Sequence, residues 1–295
     1  MTNHHRFVAC ASLPPILPQI LPQILPPILP LIALALALTA CSAKPGPAAP
    51  TGSASAAAES PPPAPPAPPA HAAAARKVSV SNDLYQFDYA YPAAAAAIPA
   101  LKARLDADLD KQQADLATQA RDAQKDAKAN DFPFHAWSRS ADWQVVTELP
   151  GWLSLSTIRG EFTGGAHPNY AFDTLLWDKA AGKPRTATDL FTSQRALGDA
   201  VRKDFCAELD RQRLKKRGPD SQGSGIDEFN ACIDPLEQTI ILGSKGHKGF
   251  DRIGFLIAPY NAGPYAEGDY QVTLPVSPAL LATVKPEYRA AFAAP

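Results

Sequence analysis

From Ser42 to Ala75 the chain holds ten prolines and, besides them, almost only alanine, glycine and serine. Such a stretch cannot bury a core and behaves as an extended, partly polyproline spacer. At about 3.1 Å per residue it reaches on the order of 100 Å. Upstream, Pro14 to Pro30 repeats an Ile-Leu-Pro unit whose seven prolines break any helix long enough to span a bilayer. Folding is therefore confined to about Lys77 to Pro295, 219 residues, which is ample for a core.

The apolar run Leu31–Leu38 has the length of a signal h-region and is well short of the ~20 residues a spanning helix needs. It ends in Leu38-Thr39-Ala40-Cys41, which resembles the lipobox of bacterial lipoproteins. That resemblance implies cleavage before Cys41, lipidation (palmitate) of its thiol and loss of the first 40 residues. The n-region departs from a good signal peptide, since Arg6 is its only Lys or Arg. Ser42 follows the cysteine where aspartate would be the usual inner-membrane retention signal. The expected location is the outer membrane, lipid-anchored and facing the periplasm.

Composition narrows the function classes. Removing residues 1–40 removes only Arg6, which leaves 27 basic against 29 acidic residues. This balance argues against a nucleic-acid binder. Of four cysteines, Cys10 is cleaved away and Cys41 takes lipid, so Cys206 and Cys232 remain. In an oxidising compartment they suggest one disulfide, worth about 3 kcal/mol in the chain-entropy model. Two free thiols or a metal pair are the alternatives, and no Cys-x-x-Cys or Cys/His cluster supports the metal.

Periodicity orders the rest. Val78 to Tyr91 alternates as a strand, with a break at Asn82-Asp83. Pro99 suits a first helical turn. Ile98, Leu101, Leu105 and Leu109, then Leu116, Ala120, Ala123 and Ala127, form the stripe of a long amphipathic helix ending near Asn130. Asp106, Asp108, Asp110 and Asp115 read as its solvated face. Phe134–Leu149, Trp152–Phe162 and Tyr170–Trp177 read as three strands in an antiparallel meander. A second helix runs from Gln194 to Arg217, with Leu197, Val201, Phe205 and Leu209 spaced by four. Its basic run Arg211–Arg217 suits the negative end of the helix dipole. Strands follow at Gln238–Leu242, Ile253–Pro259 and Tyr270–Val276, with short helical turns near Ala279–Val284 and Glu287–Phe292. Strands and helices come in blocks, so the class is α+β. The expected architecture is an antiparallel sheet with one long N-terminal helix and a second amphipathic helix packed on it.

Two loops carry the residues with chemical potential. Thr163-Gly164-Gly165-Ala166-His167-Pro168-Asn169-Tyr170 combines backbone freedom, a histidine and an aromatic face. Tyr260 and Tyr265 flank a Gly-Pro turn in the loop 259–268, and tyrosines offer contact area at low entropic cost. The candidate binding residues are Gly164, Gly165, His167, Asn169, Tyr170, Tyr260 and Tyr265. Each loop also reads as an ordinary packed turn. Catalytic motifs are missing: the chain has no Gly-x-Ser-x-Gly, Walker loop, Gly-x-Gly-x-x-Gly or His-Glu-x-x-His. The spacing of His135, His167 and His247 does not select a zinc site. No catalytic residue, metal or cofactor is expected.

At the two loops the chain resembles a known family. It is the extracytoplasmic domain of unknown function found at the C-terminus of RsiV, the lysozyme-sensing anti-sigma factor, and beside a peptidoglycan deacetylase domain. The resemblance rests on Gly164 to Asn169, on Asp189-Leu190-Phe191 and on Tyr260 to Gly268, and covers about residues 135–280. Residues 77–130 look like the accessory half that often precedes it. The resulting division is 1–40 signal peptide, 41–76 lipidated cysteine and tether, 77–132 strand-helix half, and 133–295 RsiV-like domain. The resemblance implies a mixed α/β module, often membrane-anchored, that in RsiV binds lysozyme. The chain shows no sigma-binding segment, spanning helix or deacetylase domain, so neither signalling across a membrane nor deacetylation carries over. The expected function is a non-enzymatic envelope lipoprotein that binds a protein or glycan partner, with lysozyme and peptidoglycan as candidates. A cell-wall hydrolase using His167 as base is the alternative, and a purely structural envelope component is a third reading.

Overall fold

The first alternating stretch breaks where its turn residues stand. β1 (Arg76–Ser81) and β2 (Tyr85–Tyr91) form an antiparallel hairpin. Asn82 Oδ1 closes its turn by accepting from the amides of Leu84 and Tyr85. The computed structural model describes residues 73–293, apart from Asp220 and Gln222, and these belong to one compact unit. The expected signal segment, the expected lipidation site Cys41 and the expected tether up to residue 72 lie outside the described residues. No helix among the described residues is long and apolar enough to cross a membrane.

Alternation puts Phe87, Tyr89 and Tyr91 of β2 on one buried face. A helical turn, α1 (Ala93–Ala96), leads into α2 (Pro99–Ala129), which starts on its proline. Leu101, Leu105, Leu109 and Leu116 of α2 bury against the β2 face. Asp106 and Asp108 flank that stripe, and here the expected solvated face is corrected. The Tyr91 hydroxyl donates to Asp106 at 2.7 Å and the Tyr89 hydroxyl to Asp108 at 2.8 Å. Both tyrosines point across the core, so their hydroxyls emerge at its margin and need acceptors there. Burial, then the Asp106 bond, push the Tyr91 phenol up to about 12. Burial followed by Asp108 raises Tyr89 as well.

Tyr89 also accepts from Trp143 Nε1 at 3.0 Å. Tyr89→Phe leaves that indole N–H without its partner, in a residue only 3 % exposed. The expected loss is about 1–3 kcal/mol, read by urea unfolding. A loss indistinguishable from zero would mean that this network does not hold α2 to the sheet.

β3 (Trp137–Asp142) and β4 (Gln144–Leu149) occupy the expected single strand 134–149. Both pair with β5 (Trp152–Phe162); the register of Ala141 opposite Arg159 runs on through Gln144 opposite Ser156 and shifts between Val145 and Thr147. They part at Trp143, whose amide extends the bonding to β2 by donating to Ala90 O. β6 (Asn169–Asp178) and β7 (Lys183–Arg185) continue the antiparallel meander. The sheet has seven strands, and only the β2–β3 pair is parallel. The α+β class with an antiparallel-dominated sheet holds.

What strand order alone did not carry is a second sheet. β8 (Thr239–Gly243), β9 (Arg252–Ile257) and β10 (Tyr270–Pro275) form a separate three-stranded antiparallel sheet. α3 (Gln194–Arg217) packs on it through Leu197, Val201, Phe205 and Leu209, all buried. Ser193 caps α3 by accepting from the Ala196 amide. α4 (Pro278–Ala282) and a 3₁₀ turn at Pro286–Ala291 complete this half. Leu149, Trp152 and Leu176 of the first sheet join the core of the second, whereas Leu153, Leu155, Leu175 and Trp177 face α2. β5 and β6 are thus buried on both faces at this end. The Asp189-Leu190-Phe191 phrase is structural. Asp189 closes a capping box with Thr186, and Leu190 and Phe191 are core residues. The expected disulfide Cys206–Cys232 is present and ties α3 to the segment after it.

Candidate functional site

The loop 163–168 caps the β5–β6 hairpin, and the loop 258–269 joins β9 to β10. Although about a hundred residues apart in sequence, they meet. The His167 and Tyr265 rings stack at 4.0 Å between centroids, and Tyr260 lies 5.6 Å from Tyr265. The Tyr265 hydroxyl donates to Pro168 O at 2.7 Å. His167 Nδ1 lies 2.8 Å from the same carbonyl, which makes Nδ1 the protonated nitrogen. Nε2 lies 3.3 Å from the Tyr260 hydroxyl, within hydrogen-bond reach. One step along β6, the Tyr170 hydroxyl donates to Asp269 at 2.9 Å, a second tie between the loops. Burial, then Asp269, push Tyr170 up to about 12.

Backbone conformation marks this place too. Tyr260 has φ +71° and is 46 % exposed. A bulky residue in the left-handed region is uncommon and costs on the order of 1 kcal/mol where glycine would cost less. Gly268, at φ 68° and ψ −151°, occupies a region essentially reserved for glycine.

The sequence-derived residues divide. His167, Tyr260 and Tyr265 touch one another, and Tyr170 is tied to the same loop pair. Gly164 takes φ +86° as its role requires, whereas Gly165 has neither a positive φ nor a close neighbour. Asn169 only accepts from the Tyr170 amide, at 2.9 Å. His135 and His247 are exposed and elsewhere in the chain. Among the described residues no group of three or more His, Cys, Asp and Glu is placed to hold a metal ion.

Sequence reasoning missed the frame behind the second loop. The run Arg211–Arg217, read as a helix end, also reaches across to that loop. Arg213 is 3 % exposed and its Nε donates to Ala262 O at 3.0 Å. Arg217 donates to the Glu267 carboxylate at 2.9 and 3.1 Å. Lys216 donates to the carbonyls of Glu267 and Asp269 and lies 3.9 Å from the Tyr270 ring centroid. A signal existed in the sequence. Positions 197, 201, 205, 209 and 213 continue one stripe, and arginine on an apolar stripe demands buried acceptors.

Burial pushes the Glu267 carboxyl up, but the bonds from Arg217 and Tyr270 outweigh it and hold the group below its ordinary value. A depressed carboxyl stabilises the fold above its unfolded pKa of about 4.3, and that contribution disappears as pH falls through the folded value. Melting curves between pH 6 and 2.5 are therefore expected to fall with acid, and to fall less in Glu267→Gln. Equal pH slopes in the two proteins would refute a structural role for this pair.

A cavity of about 750 Å³ lies between α2 and β5–β6. It holds Arg159, bonded to Asp108 and Asp173, and none of the seven loop residues lines it. The loop cluster is instead a patch of exposed and half-exposed aromatic faces whose hydrogen bonds run between the two loops. Such a surface suits a macromolecular partner better than a small ligand.

Fold and site thus define an α+β module with a joined pair of loops at one end. Residues 78–170 match the family model described as Deacetylase PdaC. That match spans β1 to the start of β6. The chain is also similar to two solved proteins of the DUF3298 family. One, from Bacteroides fragilis, is 17 % identical, with 68 % of this chain and 90 % of that chain covered and a TM-score of 0.41. The other, from Pseudomonas aeruginosa PAO1, is 15 % identical, with 75 % and 97 % covered and a TM-score of 0.43. No curated protein matches the chain.

Proposed function

We propose that this chain is a non-enzymatic envelope lipoprotein, held through Cys41 at the outer membrane and facing the periplasm, whose folded module binds a protein or glycan partner. The contact surface is the His167–Tyr260–Tyr265 cluster. The observation that carries this reading is the stacking of His167 on Tyr265 across two loops that no shared strand requires to meet. Tyr260, exposed and in a costly backbone conformation, supports it, because strain of this kind concentrates at binding and catalytic sites. A binding role is favoured over His167 as a hydrolytic base by the engagement of both ring nitrogens, with a carbonyl rather than a carboxylate orienting the ring.

The test is titration calorimetry of the full chain against a c-type lysozyme and, separately, co-sedimentation with purified peptidoglycan. Saturable binding to one of them is expected, weakened at least tenfold in His167→Ala and in Tyr260→Gly. The Tyr260→Gly change relieves the backbone, so its melting temperature should not fall. Binding that survives both substitutions would remove the loops from the contact surface. Turnover of peptidoglycan that disappears in His167→Ala would establish the hydrolase instead.

A further inference from the structure

We infer that Arg213 is a positioning residue for the second loop and that the Cys206–Cys232 disulfide controls that loop through it, so that reduction loosens the aromatic surface. The inference deepens the proposed binding role and rests on that reading for its consequence, but not for its structural content.

Arg213 is a strut between two segments. On one side Nε donates to Ala262 O in the site loop at 3.0 Å. On the other, Nη1 donates to Asn230 O and Ala231 O at 3.3 and 3.0 Å. Arg217, one turn on, repeats the pattern. It bonds Glu267 in the site loop, and Phe229 O and Asn230 Oδ1 on the far side. The far segment, 229–231, runs directly into Cys232, which is bonded to Cys206 on α3. The guanidinium is an expensive choice here. Nη2 of Arg213 is buried without a partner, and leucine at the same stripe position would avoid that desolvation. What arginine supplies and leucine cannot is a simultaneous grip on both segments.

The far segment has little else to hold it. None of the described residues from Gly218 to Asp234 is buried. Among the described residues its attachments are the disulfide, the two arginines, Cys232 and Ile233 packed part-buried on the core, and a few local bonds of Asn230 and Ser224. A dithiol reductant delivers two electrons and two protons, the S–S bond breaks, Cys206 and Cys232 become thiols, and the reductant becomes a disulfide. The carbonyls of 229–231 are then free to leave. Nη1 then keeps only Asp210, which it also bonds at 3.1 Å and whose carboxylate is 62 % exposed, so the guanidinium turns toward that carboxylate and water. Arg213 releases Ala262 O as it does so. Loosening of the loop follows at the amides of Asn261, Glu267 and Gly268, which close its internal turns onto Ala258, Pro264 and Tyr265.

Amide hydrogen exchange of the full chain, oxidised and in Cys206→Ser/Cys232→Ser, tests this without any partner. Exchange at Asn261, Glu267 and Gly268 is expected to quicken at least tenfold more than exchange in β5 and β6. Loosening confined to 218–234, or spread evenly over the domain, overturns the inference. Arg213→Lys keeps the charge but loses the fork. With the disulfide intact it is expected to reproduce the local loosening, and adding the serine pair is expected to loosen 259–268 no further. Additive effects would show that the disulfide and Arg213 act separately, and would also overturn it. A negative exchange result leaves the binding titrations standing, and failed titrations leave the exchange result standing.

Discussion

Phe205→Ala is expected to destabilise the domain by about 3–5 kcal/mol, the range for a fully buried phenylalanine. Phe205 is 0 % exposed, meets Phe255 of β9 edge-on at 5.1 Å, and lies midway along the α3 stripe. Its removal opens a cavity where the helix rests on the second sheet, and neighbours on two rigid elements cannot close it. For a domain of this size each kcal/mol lowers the melting temperature by roughly 2–4 °C. Phe205→Leu, which conserves most of the volume, should lose under about 2 kcal/mol. Urea titrations of the two variants decide the matter. An alanine variant within about 1 kcal/mol of the parent would show that α3 is not anchored through this face.

Tyr265→Ala is expected to separate the two loops. It removes the stack on His167, worth about 0.5–1.5 kcal/mol beyond burial. It also removes the bond to Pro168 O, worth about 0.5–1.5 kcal/mol. Stability should fall by roughly 1–3 kcal/mol, and partner affinity at least tenfold. Tyr265→Phe retains the stack and loses only the hydroxyl bond, so it should sit between the two. The His167 ring resonances give a direct reading, because the ring current of Tyr265 vanishes with it. Unmoved resonances in Tyr265→Ala would mean that the loops do not meet in solution, and the surface proposed above would not exist.

Both variants probe elements that differ in how far they could be read in advance. The span Gln194–Arg217 and the long helix from Pro99 were legible because their apolar residues repeat every three or four positions and capping residues bound them. The break at Asn82 and the strands after Pro150 were legible from alternation and turn residues, although the alternation did not show that the chain folds back at Asn82 as a hairpin. The tether, by composition, excludes a packed core. The pairing of Cys206 with Cys232 followed from there being two cysteines in the domain, once the compartment was inferred.

Only the tertiary structure decided the rest. That β2 lies parallel to β3, and that β3 and β4 divide at Trp143, are features of long-range pairing that no local period encodes. Asp106 and Asp108 looked like solvated residues because helical position says which face a side chain takes but not what stands opposite. Two buried tyrosines stood there. The loops 163–170 and 259–268 stood out one at a time in the sequence, while their stacking at 4.0 Å required both sheets to end at the same place. The basic run at the end of α3 had the charge of an ordinary helix terminus. Its role as the frame of the site depends on carbonyls from Phe229 to Ala231 and at Ala262, and backbone acceptors leave no mark in a sequence.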